Sequence, residues 1–217
     1  MLTLQTNYKV YMKAGLFDLD GVLVDTEGAY SIFWASMGNK FRPDVPSLAS
    51  IIKGSTLENI YATYFPDPEV QKWISAELEK HEREQRYEFF REVKPFLEKL
   101  EGAGIGCAIV TSSSPAKIGH LFEQHPDMKR YFGAIITDED VTRSKPDPQG
   151  YNLAAERLGA RPEDCVVFED SFNGLLAGKA AGGKVVALAT TNPREALAGK
   201  ADLIVDDLGQ VPLSIFG

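Results

Sequence analysis

The chain has 217 residues, 44% of them hydrophobic and 25% charged, and carries a formal net charge of -8. That length suits one large domain, or a core with a smaller insert, and allows a sizeable buried core. The acidic balance argues against nucleic acid as a partner, because phosphate backbones attract basic surfaces, and no stretch approaches the ~20 apolar residues of a membrane-spanning helix.

Residues 1–13 lack the apolar run and small-residue cleavage site of an export signal, and 1–8 read as a loose leader. The run 14–19 (AGLFDL) is the first expected strand. From 26 to 90 the pattern turns helical and offers no strand. A helix is expected over 27–37, a second over 56–65 and a long third over 69–90. The second aligns Leu57, Ile60, Tyr61 and Tyr64, and the third puts Val70, Trp73, Ile74 and Leu78 on one stripe. Pro43, Pro46, Pro66 and Pro68 punctuate the segment.

Beyond it, 93–100 has the spacing of one helix face, and Gly102 and Gly104 are expected to stop it. A second strand follows at 105–110 (IGCAIV). A helix then opens on Pro115 behind a serine run and continues to 122. Strands are expected at 134–137, 166–169 (VVFE), 185–188 (VVAL) and 203–205, with helices at 151–158 and 173–181 between them. Near-continuous apolar strands suggest a parallel sheet covered on both faces, and their alternation with helices argues a doubly wound α/β fold. The expected organisation is an α/β core over 9–25 and 91–217 with an all-α insert over 26–90.

The first strand runs into Asp18-Leu19-Asp20-Gly21. Side chains alternate along a strand, so both carboxylates face one way if the extension persists. Strand carboxyl ends are where α/β sheets bind ligands. The fourth strand ends in a second acidic pair, Glu169-Asp170, followed by Ser171. If the two strands are neighbours, three or four carboxylates converge, a costly arrangement that a cation relieves. Hard oxygen donors in that number suit Mg2+. Asp170 and Ser171 also fit the simpler role of capping the next helix. The second strand ends in Thr111-Ser112-Ser113-Ser114-Pro115. Hydroxyls and free N–H groups at a helix start can cradle a phosphate or merely cap the helix. Lys145, stiffened by Pro146, could meet a phosphate as a point charge or stand exposed.

Together these motifs resemble the haloacid dehalogenase superfamily. Asp18-x-Asp20-Gly21, the Ser112 region, Lys145-Pro146 and Glu169-Asp170-Ser171 occur in the family's order and span 14–174. The chain looks closest to the group containing β-phosphoglucomutase, phosphoglycolate phosphatase and sugar-phosphate phosphatases, in which a helical cap follows the first motif. The resemblance implies a Rossmann-like sheet of order 5-4-1-2-3 and a phosphatase of small phosphorylated metabolites. It implies Asp18 as the nucleophile that becomes an aspartyl-phosphate, and Asp20 as acid and then base. Ser112 would bind a phosphoryl oxygen, with Thr111 as the alternative, and Ser113 would help through its N–H. Lys145 would neutralise the nucleophile. Mg2+ would be held by Asp18, the Asp20 carbonyl and Asp170, with Glu169 ligating it or orienting its waters.

A metal-free dehalogenase fits poorly, because Asp20 and the Glu169-Asp170 pair are present. A non-catalytic binder would have lost Asp18 or Lys145. The serious alternative is a β-phosphoglucomutase, which resembles the chain through its FDLDGV and EDS motifs. That enzyme uses a cap His and a cap Arg at positions where this sequence has Tyr30 and Leu57.

The two cysteines, Cys107 and Cys165, sit in apolar runs and are expected to be buried thiols in a reducing, cytoplasmic setting. His81 is expected at the surface, with His120 and His125 beside a core helix and no histidine metal site. Trp34 and Trp73 are expected in the core of the helical insert, with a place lining the cleft as the alternative for either. The oligomeric state is open, with a monomer expected.

Overall fold

Six short apolar runs pair side by side in a computed structural model that describes residues 13–53 and 55–217. The expected leader at 1–8 and the expected start of the core at 9–12 lie outside the described residues. The strands are β1 (Ala14–Phe17), β2 (Gly106–Val110), β3 (Ala134–Ile136), β4 (Cys165–Glu169), β5 (Lys184–Leu188) and β6 (Leu203–Val205). They form one parallel sheet in the order β3-β2-β1-β4-β5-β6. The expected 5-4-1-2-3 order is therefore present, extended by β6 at one edge.

The central strands β1 and β4 are buried throughout because helices cover both faces of the sheet, whereas the edge strand β6 is only partly buried. Adjacent residues go to opposite sides, as strand pleating requires. Phe17 stacks on Phe168 at 4.4 Å, in one cluster with Phe96, Leu100 and Leu121. Its neighbour Leu16 joins Val167, Tyr151 and Ala154 in the cluster on the other face. Both cysteines are buried and unpaired, and burial pushes each thiol up to about 12.

Residues 27–84 form the helices α1 (Glu27–Phe41), α2 (Leu48–Ile51), α3 (Leu57–Tyr64) and α4 (Pro68–Glu84). They bury a third, separate cluster that includes Trp34, Ile60, Phe65, Ile74 and Leu78. Trp73, expected in this core, is instead 38% exposed, with the Lys40 ammonium over its ring. Asp67 accepts the Glu69 N–H and Pro68 opens α4, a regular N-terminus. The segments leading into and out of this layer lie antiparallel. Val24 bridges to Phe89, the Asp25 N–H donates to Glu88 O, and the Phe90 N–H donates to Leu23 O.

That pairing corrects the long helix expected over 69–90. The segment after Glu84 leaves the helix because its backbone pairs with residues 23–25. His81 is not at the surface either. It lies three residues past Leu78 on the buried stripe of α4, and its ring packs against Tyr30 and Phe33.

The remaining helices are α5 (Val93–Gly102), α6 (Pro115–Gln124), α7 (Gln149–Leu158), α8 (Phe172–Ala181) and α9 (Arg194–Leu197). α5 runs through Gly102 rather than stopping before it. The turn is made by Gly104, whose φ of 68° is in the left-handed region. Among the described residues no helix is long and apolar enough to cross a membrane.

Candidate active site

The chain order of the sheet reverses between β1 and β4, so the carboxyl ends of these strands and of β2 open onto one crevice. Asp18 stands one residue past β1, still extended, with its N–H donating to Phe168 O at 3.0 Å. The chain then turns: Leu19 O accepts the N–H groups of Leu23 and Val24. Gly21 sits in this turn with φ 77°. A Cβ there would lie 2.2 Å from Asp170 Oδ2, so both its conformation and its closeness to β4 require glycine.

Lys145 Nζ donates to Asp18 Oδ1 at 2.5 Å, to Glu169 Oε1 at 2.6 Å and to Val110 O at 3.1 Å. One buried ammonium thus ties together the ends of β1, β2 and β4. The Lys145-Pro146 peptide is cis. Glu169 Oε1 also accepts the Tyr151 hydroxyl at 2.8 Å. Its Oε2 accepts the Asp170 N–H, the Ser171 N–H and the Ser171 hydroxyl. A Cβ at Gly174 would stand 1.7 Å from Glu169 Oε1, so α8 can approach β4 this closely only with glycine at that place.

Burial is the largest influence on Asp18, and it acts with the nearby Glu169 and Asp20 charges to push the carboxyl up to about 7 against the pull of Lys145. Lys145 shows the reverse balance. Burial would lower it, but Asp18 and Glu169 outweigh that and hold it above its ordinary value.

Carboxylate oxygens of Asp18, Glu169 and Asp170 all lie within 4.8 Å of one another, and all three residues are buried. Three hard anionic donors against one lysine leave surplus negative charge, which fits a divalent cation such as Mg2+. The chemistry differs among the three. Both oxygens of Glu169 are already committed, two hydrogen bonds on Oε1 and three on Oε2. It is therefore better placed to hold Asp170 and Lys145 than to ligate an ion itself.

Asp20 also lines the crevice, but its carboxylate has a separate set of partners. Lys117 Nζ stands 2.6 Å from both of its oxygens. Thr26 donates to Oδ1, and the Ser113 hydroxyl donates to Oδ2 at 3.1 Å. Burial would raise Asp20, yet Lys117, Thr26 and Ser113 outweigh it and keep the group below the usual carboxylate value. Asp20 is accordingly absent from the side-chain cluster that fits a cation.

The serine run opens α6, with Ser114 capping the helix by accepting the Lys117 N–H. The Ser113 N–H, expected to face a phosphate, donates to Thr111 Oγ1 at 3.1 Å. Thr111 is buried at the end of β2, whereas Ser112 is only partly buried, and both reach the crevice wall.

Lys117, Thr26 and Tyr151 were not singled out from sequence for this chemistry. A signal existed for Lys117, which shares the stripe of Ile118, Leu121 and Phe122, the buried side of α6. A lysine on such a stripe needs a buried anion.

From Asp18 the crevice widens into a cavity of about 280 Å³ between the sheet and the helical layer. Tyr30, Lys53 and Leu57 line its far side.

Residues 16–188 match the family model described as haloacid dehalogenase-like hydrolase. The chain is 31% identical to hexitol phosphatase A of Escherichia coli, covering 93% of this chain and 94% of that protein. It is 28% identical to the bifunctional riboflavin kinase/FMN phosphatase of Arabidopsis thaliana, where it spans 59% of the relative's length. Among solved structures, β-phosphoglucomutase from Clostridium difficile superposes with a TM-score of 0.75 at 20% identity, covering 94% of both chains.

Proposed function

The chain belongs to the haloacid dehalogenase-like hydrolases, and on that premise we propose that it is a Mg2+-dependent phosphatase of a small phosphorylated metabolite. The observation that supports this most is the pairing of a buried Asp18 carboxylate with Lys145 at the floor of the cavity, beside Glu169 and Asp170. A hexitol phosphatase among the relatives points to sugar or polyol monophosphates as the substrate class.

Asp18 attacks phosphorus and the ester oxygen leaves as an alcohol, its proton supplied by Asp20, which takes that proton up when the negative charge of the bound phosphate raises its proton affinity against the pull of Lys117. Water, deprotonated by Asp20, then attacks the aspartyl-phosphate and frees phosphate and Asp18. Lys145 offsets charge on Asp18 and on the phosphoryl oxygens. The Ser112 hydroxyl donates to a phosphoryl oxygen. Mg2+, held by Asp18, Asp170 and the Asp20 carbonyl, would offset the charge of the transferring group. Glu169 positions Asp170 and the lysine. The helices within 26–90 act as a cap hinged on two linkers, near 23–26 and near 90–93, and closure excludes bulk water.

A mutase must hold a second phosphate while excluding water. Tyr30 and Leu57, the positions where a mutase of this group carries His and Arg, both line the cavity. Neither supplies a cation for a distal phosphate; Lys53, on the same wall, is a cap cation that could substitute, and on the present reading water is the favoured acceptor. The test is phosphate release from p-nitrophenyl phosphate and from sugar monophosphates. Hydrolysis should vanish in EDTA and return with Mg2+. Full activity in EDTA, or isomerisation of β-glucose 1-phosphate faster than phosphate release, would contradict the proposal.

A further inference from the structure

Lys117 is a charged side chain only 2% exposed, outside every motif that marks the site. Its ammonium is 2.6 Å from each Asp20 oxygen and 4.0 Å from the centroid of the Tyr30 ring, over its face. The Tyr30 hydroxyl donates to Glu82 Oε1 at 2.9 Å, which fixes the ring. Tyr30 belongs to α1 and Glu82 to α4, whereas Asp20 and Lys117 belong to the sheet-bearing part of the chain. The row Glu82–Tyr30–Lys117–Asp20 therefore crosses between the two layers and ends on the carboxylate assigned to proton transfer.

A carboxylate turns about its last torsion easily. Thr26 and Ser113 each touch one oxygen of Asp20, and only Lys117 touches both. A lysine stem can swing too, but here the side chain is buried and its head lies over the aromatic ring. We propose that Lys117 is the positioning residue for Asp20, aiming it at the leaving oxygen, and that Tyr30 holds Lys117 in that role when the helical layer is seated. The inference rests on the phosphatase reading above and adds a cap-borne control of its acid–base group.

A lysine that only balances a buried charge would, when lost, slow every substrate alike. A positioning lysine would not. p-Nitrophenolate is a good leaving group and departs without a proton, whereas an alkyl oxygen needs one. The experiment compares single-turnover rates for p-nitrophenyl phosphate and a sugar monophosphate in Lys117→Met, with Mg2+ saturating.

The first turnover of the sugar phosphate should fall about 100-fold, the lower end of what general acid–base catalysis supplies. The first turnover of p-nitrophenyl phosphate should stay within about threefold of the unaltered protein, since no interaction specific to its transition state is removed. Later turnovers of that ester should slow after a burst of one equivalent, because Asp20 must still activate water. Equal losses with both substrates, or no loss with either, would overturn the inference. If Lys117→Met does not fold, Tyr30→Leu carries the test. It should show the same asymmetry at about tenfold, a loss expected from misplacement rather than removal of the group, and a symmetric effect would overturn the inference. If the unaltered protein turns over neither ester, the phosphatase reading itself fails.

Discussion

Asp18 meets the cation requirement and the proton in the same place. Burial, Glu169 and Asp20 push its carboxyl up to about 7, and a hard cation binds only the deprotonated oxygen. Below that pH a proton must leave before Mg2+ can enter, and above it the oxygen is already free. Mg2+ affinity should therefore fall about tenfold for each pH unit below about 7 and level off above it. Titration calorimetry of the apo protein in buffers of different ionisation enthalpy reads both the affinity and the released proton. A flat affinity from pH 5.5 to 8, on the order of that window, would show that Asp18 is ionised throughout. At this scale the sequence was legible where a residue's meaning is set by its neighbours in the chain. Asp18, Glu169 and Asp170 stand at strand ends, and β1 and β4 are adjacent, so the acidic pairs meet. Lys117, Thr26 and Tyr151 were not legible, because each acquires its role from a partner far along the chain. Tyr151 reads as one apolar position of α7, yet its hydroxyl reaches Glu169.

At the scale of elements, the helical layer has its own core, separate from the two clusters of the sheet. Ile74 lies at its centre and is fully buried. Ile74→Ala should cost about 2–5 kcal/mol, as a cavity in a packed core does. The loss should be local. Hydrogen exchange should quicken in α1, α3 and α4 while β1 to β5 keep their protection, because the layer is joined to the sheet by two connecting segments and side-chain contacts. Uniform loss of protection would contradict the proposed division at 26–90. The strands were readable as continuous apolar runs because both faces of the sheet are covered. The end of α4 was not. Nothing in Gln85 to Phe90 forbids a helix, and what stops it is the pairing of Phe89 with Val24. Such a partner is a tertiary fact, invisible to periodicity.

Taken as one molecule, the arrangement puts a phosphoryl-transfer floor at the carboxyl ends of three parallel strands and a helical roof over it. The floor is tied together by Lys145, which bonds both Asp18 and Glu169. The roof supplies the cavity wall and, through Tyr30, touches the lysine that grips Asp20. The sheet-and-insert plan could be read from the alternation of runs and the helical interruption after the first strand, while the strand order came from the family resemblance. The size of the cavity and the identity of its far wall depend on how the roof sits, and no pattern in the chain encodes that directly.

The central claim is that Asp18 takes the phosphoryl group, and acid-quenched mass spectrometry tests it most directly. The protein is mixed with p-nitrophenyl phosphate and Mg2+, stopped in acid within the first turnover, digested and mapped. One phosphoryl group should appear on the peptide containing Asp18. Asp18→Asn should show none and should lose at least ~10³ in rate, as removal of a covalent nucleophile does. A phosphoryl group on any other residue, or near-normal turnover by the Asn variant, would contradict the account.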